Sequence, residues 1–167
     1  MYYNLDMQYL KNRKDSPIRY HYDYIQLVAL MNCCDFFIEL GLIGKNKTPI
    51  LKNPREAFRK YINAIISLDH IFDYLYYHSK YKNKISFKNY KNNILSRFPV
   101  LKKISNYANA FKHCERTGTI LETEENQDYK LNFGLPFNLH LIKQASEIWH
   151  KYINGKIQID TSFKFSL

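Results

Sequence analysis

Asn53-Pro54-Arg55-Glu56 is the sharpest local signal in the chain, and the apolar run behind it constrains the fold most. An asparagine in this place can accept the free N–H groups of a first helical turn. A proline tolerates the first helical position because its missing N–H would have no partner there, and a glutamate three residues past the cap completes the pattern. Ala57, Tyr61, Ala64, Ile65, Leu68, Ile71, Phe72 and Leu75 then recur at intervals of 3, 4 and 7, which predicts one apolar stripe on a helix reaching Tyr77 or beyond.

The rest of the chain reads in the same way. Residues 1–20 are polar and interrupted by Pro17, and are expected to form an N-terminal arm or a short leading helix. From Asp23 to Leu40, the density of Ile25, Val28, Leu30, Phe36, Phe37 and Leu40 predicts a buried helix ended by Gly41 and Gly44. Helices are expected over Ser86–Phe98, from Pro99 to about Cys114, and over Phe137–Ile153, where Gly155 stops the last one. Thr117–Leu121 and Tyr129–Phe133 flank an acidic turn and predict either a small β-hairpin or an ordered loop. Residues 156–167 form a tail whose weak alternation could add a short strand. The expected fold class is all-α: a single domain over residues 1–167, built as an antiparallel, up-and-down bundle of four to five helices.

Composition agrees. At 167 residues and 46% hydrophobic content, the chain can bury roughly 70% of its unfolded surface without disulfides or metal. Cys33, Cys34 and Cys114 form no C-x-x-C pair, so they read as core residues of a reducing compartment. Tyr24–Ile43 is long and apolar but holds Asp35 and Glu39, which are costly at membrane depth. The opening Met1–Asp6 lacks the order of a signal peptide. No membrane association and a cytoplasmic location are expected.

The formal charge of +10 favours an anionic partner. It is also distributed unevenly: between Asp73 and Glu115 there is no carboxylate. Lys80, Lys82, Lys84, Lys88, Lys91, Arg97, Lys102 and Lys103 lie in that interval, with Tyr74, Tyr76, Tyr77, Tyr81, Tyr90 and Tyr107 interleaved. Lysines neutralise phosphates and tyrosines can stack on unpaired bases, so these cations are candidate nucleic-acid contacts. The competing reading is a solvated lysine surface over tyrosines that belong to the core.

Two further features bear on chemistry. Ala108-Asn109-Ala110-Phe111-Lys112-His113 places Asn109, Lys112 and His113 at a helix end. Asp69 and Asp73, four apart, share a helix face, and one of them could pair with Lys112 or His113 across the bundle. That pairing would orient the imidazole and raise its proton affinity. No glycine-rich phosphate loop or metal-ligand spacing of histidines is present, and no metal or cofactor is expected.

The six-residue helix end resembles the motif of the HEPN superfamily, small all-α proteins of toxin–antitoxin and phage-defence systems. Asn109 and His113 match the family's polar residue and histidine, while Ala108 stands where the family has arginine. In nuclease members, histidine moves a proton as a ribose 2′-hydroxyl attacks phosphate, arginine stabilises the charge, and the site lies at a dimer interface without metal. The resemblance therefore implies RNA or a nucleotide as ligand, a homodimer, and a metal-independent ribonuclease or a degenerate binding protein. The other reading of the same bundle is a non-catalytic interaction module with an acidic protein partner.

Overall fold

In the computed structural model, residues 20–43, 53–117 and 137–159 are described, with side chains throughout except at 113–117. The arm, the acidic turn with its expected hairpin, and the end of the tail lie outside these residues. What is described is all-α. A first rod runs from α1 (His21–Tyr24) through a π-helical segment (Ile25–Ala29) into α2 (Leu30–Glu39). Then come α3 (Pro54–His78), α4 (Phe87–Arg97), α5 (Pro99–Thr117) and α6 (Leu139–Ile153). Residues 154–159 form turns and bends, so the part of the tail that is described carries no strand.

The π segment is the one departure in the first rod. The rod's buried Ile25 and Leu30 are five residues apart, a spacing that a regular 3.6-residue turn sets about 140° apart on the helix. An i→i+5 turn widens the repeat and returns Ile25 and Leu30 to the same side. The rod ends where expected, at Gly41 with φ of 67°, a backbone region in which glycine avoids the Cβ clash.

Helix α3 is the axis of the molecule. Asn53 Oδ1 accepts from the N–H groups of Arg55 (3.1 Å) and Glu56 (3.2 Å), and Pro54 opens the helix. The Glu56 carboxylate turns to Arg59 Nε instead (2.9 Å). A guanidinium offers it charge-assisted hydrogen bonds, which are stronger than one from a neutral backbone N–H. The predicted stripe is the buried one: Ala57, Tyr61, Ala64, Ile65, Leu68, Ile71, Phe72 and Leu75 are all at most 2% exposed. Each large side chain so buried contributes about 1.5–3 kcal/mol.

Pairwise contacts give the helix directions. Tyr24 stacks on Tyr74 (4.1 Å between centroids) while Lys60 Nζ meets Glu39 (2.7 Å), so the first rod runs antiparallel to α3. Phe137 packs on Phe36 (5.4 Å) and Tyr152 Oη bonds His21 Nε2 (3.0 Å), so α6 is antiparallel to the first rod too. After a short turn at Phe98, α5 folds back beside α4.

Candidate functional site

Asp69 sits on α3 beside the core stripe and is 3% exposed. A carboxylate so far from water is tolerable only with counter-charges. Two arrive from different helices: Lys91 Nζ of α4 at 2.6 Å from Oδ1, and Lys112 Nζ of α5 at 3.3 Å from Oδ2. The Lys91 ammonium also lies 5.2 Å from the Phe72 ring centroid, a cation–π distance. One carboxylate thus ties α3, α4 and α5 together. Asp73, one turn on, is exposed, so the two acids share a side of α3 without sharing an environment. The Tyr24 hydroxyl is pushed well above its ordinary range, by burial first and then by Tyr74, Asp73 and Asp69.

Next to this cluster, α4 and α5 enclose a groove of about 460 Å³. Helix α4 lines it with Lys91, Asn92, Leu95 and Ser96, and α5 lines it with Lys102, Ser105, Asn106 and Asn109. The α5 set repeats at 3, 4 and 7, one helical face. None of the described lining residues is acidic. Ammonium groups, carboxamides and hydroxyls suit a phosphorylated, hydrogen-bonding ligand, and the volume is in the range of small-ligand sites. Lys91 belongs to both the groove and the ion cluster, so Asp69 holds one of the groove's cations in place.

The expected site residues therefore divide. Asn109, Lys91 and Lys102 converge on the groove, and Lys112 and Asp69 meet beside it. His113 is helical, but its side chain lies outside the described residues. Ala108 is fully buried, rotated from Asn109 by one residue's turn of the helix. The position that the resemblance sets against an arginine thus faces the core. Lys88 and Lys103 are exposed on α4 and α5. Arg97 Nε is 3.5 Å from the Asn93 carbonyl, and its guanidinium also bonds the Ile159 carbonyl, fastening the segment after α6 to α4. Lys80, Lys82 and Lys84 are exposed on the turn between α3 and α4. Tyr81, Tyr90 and Tyr107 are buried and Tyr74 and Tyr76 half-buried, so of the interleaved tyrosines Tyr77 alone is exposed.

A second cavity, of about 320 Å³ between α2 and α6, has apolar walls that include Cys33, Phe37 and Leu42. Lys143 and Glu147 both line it, so it carries charge of neither sign alone. Among the described residues no group of three metal-binding side chains gathers, and no helix is long and apolar enough to cross a membrane. No family model, curated protein or solved structure matches the chain. The class defined here is an all-α bundle with a basic, polar groove between two adjacent helices.

Proposed function

We propose that the chain is a HEPN-like helical protein that binds RNA, with the α4–α5 groove taking its phosphate backbone. The observation that carries this reading is the groove itself: Lys91 and Lys102 among carboxamides and hydroxyls, with Asn109 of the HEPN-like motif on its wall. The buried Ala108 weighs toward binding over cleavage. An arginine that stabilises a pentacoordinate phosphate must reach the ligand, and lysine replaces its bidentate geometry poorly. A defence or toxin–antitoxin setting follows from the same resemblance.

The test is incubation of the purified chain with total RNA and tRNA, without metal, beside His113→Ala, together with binding titrations from low to moderate salt. Salt-sensitive binding is expected, its logarithmic slope changing by roughly 0.7 for each phosphate that is no longer neutralised. Lys102→Gln is expected to weaken binding and flatten that slope. Cleavage by the parent that His113→Ala abolishes would replace the binding protein with a nuclease. Absence of both cleavage and salt-sensitive binding would sink the reading.

A further inference from the structure

Three of the five exposed large apolar side chains among the described residues, Tyr20 (54%), Tyr22 (47%) and Tyr77 (62%), gather at one end of the bundle. Ring contacts join them. Tyr20 lies 5.8 Å from His78, and His78 lies 5.1 Å from Tyr77 and 6.0 Å from His21. His21 is 4.1 Å from Tyr22, whose inner face stacks on Tyr152 at 5.6 Å and 9°. Scattered exposed aromatics call for no explanation, but a contiguous set does.

Its surroundings are cationic and ordered. The Lys82 ammonium stands 3.6 Å from the centroid of the Tyr77 ring, which stays 62% exposed. The turn bearing Lys80, Lys82 and Lys84 is pinned to α3: the Tyr76 hydroxyl bonds the Lys82 and Ile85 carbonyls, and Ser79 Oγ donates to the Tyr76 carbonyl (2.9 Å). Of the nearby acids, Asp23 is buried, with Oδ2 accepting from the Tyr20 N–H (3.0 Å), and Asp73 is exposed.

We infer that this end of the bundle is a stacking platform for unpaired bases of a nucleic-acid strand, with Tyr20, Tyr22 and Tyr77 offering ring faces and Lys80, Lys82 and Lys84 holding the flanking phosphates. The inference rests on the RNA-binding reading and adds single-strandedness to it, since paired bases present edges, not faces, to such rings. Asp69 and His78 are separated along α3 by roughly 13 Å at the helical rise of about 1.5 Å per residue.

The experiment is a fluorescence-anisotropy titration with a labelled oligouridylate and an RNA duplex of equal length, comparing parent, Tyr77→Ala, the pair Tyr20→Ala/Tyr22→Ala, and Tyr77→Phe. These side chains are exposed, so the fold is expected to survive, and circular dichroism checks it. Tyr77→Ala is expected to weaken single-strand binding by roughly 5- to 160-fold, the range for removal of one base stack. The salt slope and duplex binding stay unchanged, and Tyr77→Phe retains parental affinity. Parental single-strand binding that all the tyrosine variants share would overturn the platform and leave the groove standing. A parent that binds neither RNA overturns both. Self-association that Tyr77→Ala abolishes, without an effect on RNA, would overturn the platform and assign the patch to a second copy of the chain.

Discussion

Asp69 shows how one residue can join stability to a site. Its pairing with Lys112 was within reach of the sequence, because helical spacing puts Asp69 and Asp73 on one side of a long helix facing other helices. The choice between the two acids was not, since a 3% exposed carboxylate and an exposed one look identical in a string of letters. Lys91 was invisible as a partner, because its approach depends on how the turn at 79–85 places α4. Asp69→Asn is expected to cost about 3 kcal/mol, because Lys91 (16% exposed) is left without its counter-charge. Urea denaturation checks this, and Asp69→Leu with Lys91→Met is expected to recover most of the loss, since apolar replacements need no counter-ion. Ala108→Arg probes the buried face of α5. At a fully buried position the added guanidinium overpacks the core and strands a charge, so a loss of about 3 kcal/mol or more is expected without any gain of RNA cleavage. An Ala108→Arg variant that folds normally and cleaves RNA would show that this helix face can turn to the ligand.

At the scale of elements, signals that are strictly local were readable and signals that need a partner were not. The Asn53 cap, the proline after it and the apolar stripe lie within one helix, and α3 begins and runs as they specify. Asn53→Ala removes the acceptor of two N–H groups and is expected to cost about 1 kcal/mol, seen as a lower melting temperature with native helicity otherwise kept. The π segment is not legible in a sequence window that assumes one constant repeat, because the five-residue spacing of Ile25 and Leu30 is marked only by their burial in the fold. Tyrosine was the other source of error. Its ring is apolar and its hydroxyl polar, so alternation with lysine in the chain does not say whether a ring is buried. Tyr81 and Tyr90 went inward with α4 and the turn before it, while Tyr20 and Tyr22, placed by the start of the first rod, stayed out.

For the whole molecule, the core's own acids set a limit at high pH. Burial pushes the Tyr24 and Tyr61 hydroxyls far above their ordinary value of 10.0, and the Cys33 thiol far above 9.0. In the unfolded chain these groups lose their protons near the ordinary values, while the folded chain keeps them protonated. The unfolded state therefore binds fewer protons above about pH 9–10, and stability must fall as pH rises. The stabilisation is complete below the unfolded values and is lost progressively as pH climbs toward the folded ones. Each group contributes a slope of about 1.4 kcal/mol per pH unit, so the three together approach about 4 kcal/mol per unit once all are ionised in the unfolded chain. Urea midpoints measured from neutral to strongly alkaline pH are expected to hold level and then drop steeply. Tyr24→Phe and Tyr61→Phe should each flatten the drop by one group's share, because phenylalanine has no proton to lose. Slopes equal in the parent and both variants would mean that water reaches these hydroxyls, and the packing of α1, α3 and α6 around them would have to be redrawn.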